Sequence, residues 1–224
     1  MTSPEQPPDL DWRDQAIPVS RRFDDPYFSL AGGLEETRHV FLTGNGLPER
    51  FRDGFRIAEL GFGTGLNLMA TLLAHQGPGH ILYTSFEAFP MEAPDIARAL
   101  AAFPETAPIA PAFLDQWATG ARTLLFPNLT AEIIIGDARQ TLPTWQGQAD
   151  AWFLDGFSPA KNPELWSDDL MAEVARHTAP GGTFATYTAA GHVRRALAEA
   201  GFTVTRTAGF GRKRHMSVGV LTNG

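Results

Sequence analysis

Apolar residues in the first third of the chain change from a strand pattern to a helical pattern around a set of glycines. Residues 56–60 (RIAEL) form a short apolar run, and residues 66–73 repeat apolar side chains at helical spacing. Gly61, Gly63 and Gly65 lie between these two segments. Glycine allows a tight turn, and the unpaired N–H groups at the start of the following helix are open to a ligand. The pattern predicts the start of a βαβ nucleotide-binding unit.

Strand and helix patterns continue to alternate along the rest of the chain. Apolar runs predict strands that include 81–87, 149–155 and 183–188, and helical spacing predicts helices over 93–103 and 163–178. This alternation is typical of α/β proteins, in which helices cover both faces of a parallel sheet. We therefore expect an α/β, Rossmann-like fold with a mostly parallel, seven-stranded sheet.

The N-terminal segment differs in composition from this alternating region. Residues 1–17 begin with several prolines and few apolar groups, and we interpret them as a mobile tail. Residues 18–55 are rich in aromatic, charged and turn residues, with a short strand predicted at 40–42. This composition suits a lid over a cofactor cleft, and a hairpin that covers the sheet is the alternative. We expect residues 18–224 to form one domain, with 18–55 as its N-terminal lid.

The spacing of the glycines indicates the ligand. A dinucleotide-binding loop has the spacing G-x-G-x-x-G, whereas here the third glycine comes one residue early and Leu66 takes its place. An acid followed by three alternate glycines after a strand resembles the S-adenosylmethionine (SAM) loop of Rossmann-like methyltransferases. That resemblance implies a place for Glu59 near the methionine amino end of SAM. It also implies that the cofactor is bound by Gly61, Gly63, Thr64, Gly65 and Asn67. A generic or NAD-binding Rossmann turn is the alternative.

Three further acids follow predicted strands at the edge where open α/β sheets bind ligands. Glu87 ends the second strand, where two carboxylate oxygens match the cis-diol of a ribose, unless it is a solvated strand end. Asp137 resembles the methyltransferase residue that accepts the adenine amino group, and it also suits a helix N-cap. Asp155 ends a nearly all-apolar strand and is expected to face the ligand crevice, where it also binds cofactor.

Composition narrows the class of protein. Of 224 residues, 43% are hydrophobic and 19% charged, which is ordinary for a globular protein. The absence of cysteine excludes disulfides, thiolate metal sites and a cysteine nucleophile, and we predict no metal site. With no apolar run of membrane-span length and a polar N-terminus, we expect a cytoplasmic protein that does not bind a membrane. The net charge of −7 opposes a broadly basic nucleic-acid binder but permits a local basic patch.

Longer stretches make the resemblance more specific. FDDPYFS (23–29), 33–51, ELGFGTGLN (59–67), AWFLDGFSPAKNPELW (151–166), 180–197 and GFGRKRHM (209–216) occur in this order. Together they resemble the methyltransferase domain of the bifunctional tRNA 5-methylaminomethyl-2-thiouridine biosynthesis protein family. The resemblance implies a class I SAM-dependent methyltransferase that converts the 5-aminomethyl group of the tRNA wobble (2-thio)uridine to 5-methylaminomethyl. Residues 1–224 leave no room for the family's FAD-dependent oxidase domain. We therefore expect either a stand-alone form, with a separate oxidase in the same pathway, or a separately expressed domain of a longer protein.

The resemblance also suggests how each residue acts on the substrate. We expect Asp155 to orient the amine nucleophile and Phe157 to shape its pocket, although Asp155 also suits a helix cap. Lys161, Asn162 and Trp166 are candidates for substrate binding, with helix initiation the alternative for Asn162 and core packing for Trp166. Four basic residues are expected to contact the tRNA phosphates: Arg194, Arg195, Arg212 and Lys213. The alternative is that they form a solvent-exposed charged face without a ligand.

Three other functions stay open on the sequence alone. A SAM-dependent N-methyltransferase acting on a small molecule or a protein agrees with the acidic net charge. An NAD-dependent dehydrogenase is opposed by Leu66, and a non-catalytic binding module is opposed by the joint presence of the glycine loop and Asp155.

Overall fold

The N-terminal residues form a small antiparallel sheet. The computed structural model describes residues 6–29 and 32–222. Strands β1 (Leu10–Arg13), β2 (Ile17–Ser20) and β3 (Asp25–Pro26) pair in that order. The prediction of a mobile tail over 1–17 is therefore wrong for residues 10–17, and residues 1–5 lie outside the described part. The hairpin is held in place because Arg98 donates to the Gln15 carbonyl oxygen at 2.8 Å and lies 3.9 Å from the Trp12 ring.

The remaining elements alternate between helices and strands, as the pattern predicts. In order they are α1 (Gly33–Thr37), a π-helical turn (Arg38–Leu42), a 3-10 turn (Thr43–Asn45), β4 (Arg56–Leu60), α2 (Leu66–Ala74), β5 (Ile81–Glu87), α3 (Ala93–Leu100), a 3-10 turn (Pro104–Thr106), α4 (Ala110–Ala118), β6 (Thr123–Phe126), β7 (Leu129–Ile135), α5 (Ala138–Thr141), a 3-10 turn (Leu142–Thr144), β8 (Ala149–Leu154), a 3-10 turn (Pro163–Trp166), α6 (Asp168–Arg176), β9 (Thr178–Thr186), α7 (Gly191–Glu199), β10 (Phe202–Ala208) and β11 (His215–Leu221).

The large sheet contains eight described strands, one more than predicted. Their order is β10-β11-β9-β8-β4-β5-β7-β6, and β9, β8, β4, β5 and β7 run parallel. Residues 124–126, which the sequence also predicts as a strand, belong to β6, an edge strand that pairs antiparallel with β7. From β4 the chain winds outward to β5 and β7 and then crosses to β8 on the other side of β4. This reversal creates a crevice outside the carboxyl ends of β4 and β8, where α/β proteins bind ligands.

Alternate side chains of the central strands enter two separate hydrophobic cores. In β8, Phe153 packs in the core beneath α2 and the N-terminal helical turns, whereas Trp152 and Leu154 pack beneath α6 and α7. Such two-faced burial follows from the two-residue period of a strand and explains why β8 is almost wholly apolar. The result is a three-layer α/β/α arrangement, as expected from the sequence.

Two local predictions are corrected by this packing. Residues 40–42 form part of a π-helical turn rather than a strand, and all three side chains are buried in the core beneath α2. The second half of the segment predicted as a lid therefore covers the sheet. Strand β9 begins at Thr178 rather than 183 and passes through Pro180-Gly181-Gly182, with a register irregularity opposite Ala149 and Ala151.

Candidate active site

A cavity of about 750 Å³ opens at the carboxyl ends of the parallel strands. Its walls come from the glycine loop after β4, from the residues that follow β5, β7, β8 and β9, and from the N-terminal segment. Eleven of the residues predicted for the site line this cavity together: Gly61, Gly63, Thr64, Asn67, Glu87, Asp137, Asp155, Phe157, Lys161, Asn162 and Lys213. The fold thus gathers residues that are up to 152 positions apart, from Gly61 to Lys213.

The glycine loop leaves its backbone close to neighbouring segments. Gly61 has φ +81°, and a Cβ there would lie 3.3 Å from the Gly156 Cα. Gly63 has φ +54°, and a Cβ there would lie 3.1 Å from the Tyr27 ring. Both conformations are strained for residues with a side chain. Gly65 does not line the cavity, so direct cofactor contact predicted for it is not supported; it is the left-handed residue that leads into α2.

Glu87 fixes the glycine loop from the end of β5. Its Oε2 accepts a hydrogen bond from the Gly63 N–H at 2.9 Å, and its Oε1 accepts one from the Phe89 N–H at 2.7 Å. Burial raises the pKa of Glu87 above its ordinary value, and these backbone hydrogen bonds oppose that rise. Each carboxylate oxygen keeps a further lone pair, so the side chain can still accept hydrogen bonds from hydroxyl groups in the cavity.

Glu59 lies behind the cavity wall rather than in it. The side chain is fully buried, and its carboxyl group accepts from the Asn67 Nδ2 and the Ser85 Oγ, each at 2.7 Å. Burial raises the pKa of Glu59 to about 8, which hydrogen bonds from Ser85 and Asn67 only partly oppose. The direct cofactor contact predicted for Glu59 is therefore not supported, because its side chain is fully buried and does not line the cavity.

Asp155 follows β8 and faces the cavity. Its Oδ2 accepts from the Asn67 Nδ2 at 2.9 Å, and its Oδ1 accepts from the Gly156 N–H at 2.8 Å. Burial raises the pKa of Asp155 to about 6, while the hydrogen bonds from Gly156 and Asn67 and the charge of Lys213 lower it. The carboxylate is therefore largely ionised at neutral pH and available as a hydrogen-bond acceptor within the cavity.

Aromatic rings from the N-terminal segment enclose Phe157. The Phe23 ring stacks on Phe157 with a centroid distance of 4.7 Å, and the Tyr27 ring meets it edge-on at 4.9 Å. Arg22 lies over the Phe89 ring at 4.7 Å on the same side of the cavity. These contacts place an apolar wall next to Asp155, which reduces the access of water to the carboxylate.

Polar contacts join the same segment to the loop after β8. The Ser158 N–H donates to Asp25 Oδ2 at 2.8 Å. Lys161 donates to the Asp24 backbone carbonyl oxygen and forms an ion pair with Asp24 Oδ2 at 3.0 Å. In this structure Lys161 therefore holds the N-terminal segment over the cavity, a role that the sequence did not suggest.

A second ion pair closes the other side of the cavity. Lys213, from the turn before β11, lies 2.7 Å from Glu36 Oε1 in α1 and 4.3 Å from the centre of the Tyr187 ring. Ser29 donates to the other oxygen of Glu36. Tyr187 donates to the Gly156 carbonyl oxygen at 2.8 Å and so supports the loop that carries Asp155.

Asp137 occupies a position that suits both roles predicted for it, the helix N-cap and the contact with adenine. It caps α5 by accepting from the Arg139 N–H at 2.9 Å, and it also lines the cavity. The Arg139 guanidinium lies 2.5 Å from Asp137 Oδ2, and hydrogen bonding to it lowers the pKa of Asp137. Contact of Asp137 with adenine stays a prediction.

The other predicted substrate residues lie outside the cavity. Trp166 is only 2% exposed, and its indole N–H donates to the Phe157 carbonyl oxygen at 2.9 Å, so the prediction of base stacking is wrong and core packing is right. Arg194 is partly buried in α7, whereas Arg195 and Arg212 are exposed. None of these three arginines lines the cavity described here, and phosphate binding by them stays a prediction.

Sequence analysis missed several residues that line the cavity. They are Arg22, Asp25, Glu36, Phe89, Arg139 and Tyr187. Tyr187 directly follows β9, so the rule that ligands bind at the carboxyl ends of parallel strands was a usable signal for it. Glu36 and Asp25 come from outside the Rossmann-like part of the chain, and no local pattern places them beside Asp155.

Comparison with known proteins agrees with this geometry. A family model described as S-adenosyl-L-methionine-dependent methyltransferase matches residues 104–222, more than half of the chain. The chain belongs to this methyltransferase family. The predicted fold class, methyltransferase activity and SAM cofactor are thereby confirmed.

Individual relatives are more specific. Over 224 aligned positions, the chain is 47% identical to the tRNA 5-methylaminomethyl-2-thiouridine biosynthesis bifunctional protein MnmC of Ectopseudomonas mendocina. The match covers 94% of this chain and 34% of that protein, so the chain spans about a third of the relative's length. The crystal structure of MNMC2 from Aquifex aeolicus matches with a TM-score of 0.79 and 26% identity, covering 99% of this chain and 72% of that one. The predicted family resemblance is confirmed.

A more distant structure supports the fold alone. TrmN from Thermus thermophilus matches with a TM-score of 0.52 and 17% identity, covering 89% of this chain and 54% of that one. Among the described residues, no helix is long and apolar enough to cross a membrane.

The cavity of this methyltransferase fits SAM by size and by the groups it presents. Its volume of about 750 Å³ lies within the range of roughly 300–1,000 Å³ typical of small-molecule sites. Gly61 and Gly63 form a cradle that side chains would disturb, and Glu87 presents carboxylate oxygens at the end of β5. The residues that would hold the cofactor are therefore Gly61, Gly63, Thr64, Asn67 and Glu87, with Asp137 at the far wall.

Proposed function

We propose that this methyltransferase transfers a methyl group from SAM to the 5-aminomethyl group of a modified wobble uridine, with or without 2-thiolation, in tRNA. The observation that carries the proposal is the position of Asp155 and Phe157 in the same cavity as the glycine loop. The 47% identity to MnmC, whose printed name refers to this wobble modification, supports the choice of substrate.

The nucleophile in this reaction is a primary amine, which attacks only in its neutral form. Transfer from water into the partly buried pocket beside Phe157 disfavours the ammonium form. The Asp155 carboxylate, with its pKa raised to about 6, can accept a hydrogen bond from the amine and orient its lone pair. When bound, SAM would supply an activated methyl group for in-line displacement, with S-adenosylhomocysteine as the leaving group, and orientation gives most of the acceleration. The methylated amine is formed as an ammonium, and its extra proton leaves to Asp155 or to solvent.

The apolar wall contributes by excluding water and by limiting the shape of the pocket. Phe23 and Tyr27 contact the Phe157 ring from two directions, so this ring forms a fixed wall of the pocket beside Asp155. Asn162 lies in the same cavity and offers amide groups that can hydrogen-bond the edge of a base. We propose that the pyrimidine enters along this side, with its aminomethyl group directed to Asp155.

The tRNA backbone requires basic groups near the cavity mouth, because the chain has a net charge of −7. Arg22 and Lys213 line the cavity, and Arg195 and Arg212 are exposed. Lys213 is paired with Glu36 in this structure. Among the described residues Arg195 and Arg212 form no ion pair, so we assign the stronger phosphate contacts to these two positions. An FAD-dependent oxidase activity that supplies the free amine, and a cytoplasmic location, belong to the same proposal.

The proposal is tested by methyl transfer to defined tRNA. Purified protein is incubated with SAM labelled in its methyl group and with tRNA that carries 5-aminomethyluridine at the wobble position. We expect labelled 5-methylaminomethyluridine on digestion and mass analysis of the nucleosides. Matched tRNA with unmodified uridine at the wobble position serves as the control. Transfer to free aminomethyl nucleoside or to other amines at an equal rate, with no preference for the tRNA, would instead identify a small-molecule N-methyltransferase.

A further inference from the structure

One amide group connects two carboxylates that come from different strands. The Nδ2 atom of Asn67 donates to Glu59 Oε1 at 2.7 Å and to Asp155 Oδ2 at 2.9 Å. An amide nitrogen carries two hydrogens, so both are used in this bridge. Asn67 lies at the second position of α2, directly after the glycine loop. The end of β4 and the end of β8 are therefore linked through a single side chain.

Glu59 is held firmly on its own side of the bridge. It lies directly opposite Ser85 in the β4–β5 pairing, and the Ser85 hydroxyl donates to Glu59 Oε2 at 2.7 Å. The Glu59 side chain is fully buried. With both oxygens engaged and no room for solvent, Glu59 fixes which way the Asn67 amide points.

We propose that Glu59 is a positioning residue that acts through Asn67 to hold the Asp155 carboxylate in its orientation toward the cavity. This inference rests on the proposed function for its catalytic consequence, but the positioning is a property of the protein alone. Without Glu59, the Asn67 amide loses the partner that keeps its NH₂ group turned toward the end of β8. Once the amide turns away, the Gly156 N–H is the one donor to Asp155 that remains among the described residues.

The surrounding charges favour an uncharged Glu59. Asp155 is the nearby acid that raises the pKa of Glu59 by its charge, and Tyr83 and Ser85 face it from β5. Asp155 is in turn influenced by Lys213 and by Glu36 from the other side of the cavity. Burial is the main cause of the raised pKa of Glu59, at about 8, so at neutral pH the bridge joins one neutral carboxyl and one carboxylate. Glutamine is for this reason a close substitute for Glu59.

The positioning is measured on the free enzyme by NMR, with ¹³C in the side-chain carboxyl carbons of aspartate. Titration of the Asp155 signal reports its pKa in the wild type and in the variants Asn67→Ala, Glu59→Ala and Glu59→Gln. We expect the pKa of Asp155 to rise in Asn67→Ala, which removes a donor that stabilises the carboxylate. Glu59→Ala should raise it in the same direction, whereas Glu59→Gln should leave it at the wild-type value.

Single-turnover methyl transfer at saturating SAM and tRNA gives the catalytic readout. We expect Glu59→Ala to slow transfer on the order of tenfold to a hundredfold and Glu59→Gln to restore most of the rate. Thr71→Val is a matched control, because it removes a different buried hydrogen bond of α2, from Thr71 Oγ1 to the Asn67 carbonyl oxygen at 2.8 Å. That control should change neither the Asp155 pKa nor the rate.

Two results would overturn the proposal. One is a folded Glu59→Ala variant with the wild-type Asp155 pKa, while Asn67→Ala raises it. The other is a Glu59→Ala variant that weakens S-adenosylhomocysteine binding in calorimetry but transfers methyl at the wild-type rate when saturated, which would make Glu59 a cofactor-binding residue. Failure of the proposed function shows differently, because wild-type protein would then not methylate the tRNA while the NMR result stands.

Discussion

The contact between the glycine loop and the N-terminal segment leads to a prediction for Gly63→Ala. Gly63 has φ +54°, and its added Cβ would lie 3.1 Å from Tyr27 Cδ1. Carbon atoms prefer separations of about 3.5–4.0 Å, so the Tyr27 ring must move by roughly 0.5 Å. Tyr27 cannot move alone, because its ring packs edge-on against Phe157 at 4.9 Å. The substitution should therefore disturb the cavity wall next to Asp155.

Two effects contribute to the expected magnitude. The left-handed backbone costs roughly 1–2 kcal/mol of stability for any residue with a Cβ, whatever surrounds it. Displacement of Tyr27 acts instead on the cavity, and we expect S-adenosylhomocysteine to bind about tenfold more weakly, which corresponds to about 1.4 kcal/mol. The hydrogen bond from the residue 63 N–H to Glu87 is retained, because alanine keeps the backbone donor.

A control at Gly54 separates these effects. Gly54 has φ +70°, and among the described residues other than its chain neighbours no atom lies within 4 Å of the added Cβ. It lies before β4, at the other end of the sheet. Gly54→Ala should lower the melting temperature as Gly63→Ala does but leave S-adenosylhomocysteine affinity unchanged in isothermal calorimetry. We also expect Gly63→Ala to lower S-adenosylhomocysteine affinity less when it is added to a Tyr27→Ala variant than when it is added to the wild type. Unchanged affinity in Gly63→Ala, or an equal loss in Gly54→Ala, would refute this reasoning.

Three further predictions concern charge. Asp155→Asn should slow single-turnover methyl transfer on the order of a hundredfold with little effect on S-adenosylhomocysteine affinity, and an unchanged rate would reduce Asp155 to a structural role. Burial raises the pKa of Glu59 from 4.5 to about 8, so the stability associated with its neutral form is complete below pH 4.5 and lost as pH rises through 8. In urea denaturation, the free energy of unfolding of Glu59→Gln should accordingly rise relative to that of the wild type as the pH increases from about 4.5 to 8. A difference between the two free energies that does not change with pH would contradict the raised pKa of Glu59. Arg195→Ala with Arg212→Ala should flatten the dependence of log K for tRNA on log salt by about two units, and an identical slope would mean that these arginines do not contact phosphate.

The sequence by itself predicted most of the alternating strands and helices from β4 onward and the glycine loop that lines the cavity. Strand β4, the alternate glycines and α2 follow one another without a break, so their order dictates a turn with free backbone N–H groups. The acids Glu87 and Asp155 line the cavity for a similar reason. Each ends a strand of the parallel sheet, and the ends of parallel strands meet at one edge.

Tertiary structure alone decided which of these polar groups meet. The β4–β5 register sets Ser85 opposite Glu59, and the β4–β8 pairing brings Asp155 to the same end of the sheet. Because this pairing joins positions about ninety residues apart, no local pattern distinguishes a Glu59 that contacts ligand from one buried behind Asn67.

The same reason applies to the residues that enclose the cavity. Trp166 has an aromatic ring that could stack on a base, yet the packing of α6 and β8 buries it and turns its N–H to the Phe157 carbonyl oxygen. Lys161 and Lys213 carry the positive charge expected of phosphate ligands, but folding places each beside an acid of the N-terminal segment. Local sequence specifies the charge and shape of a side chain, whereas its partner depends on long-range packing that brings distant segments together.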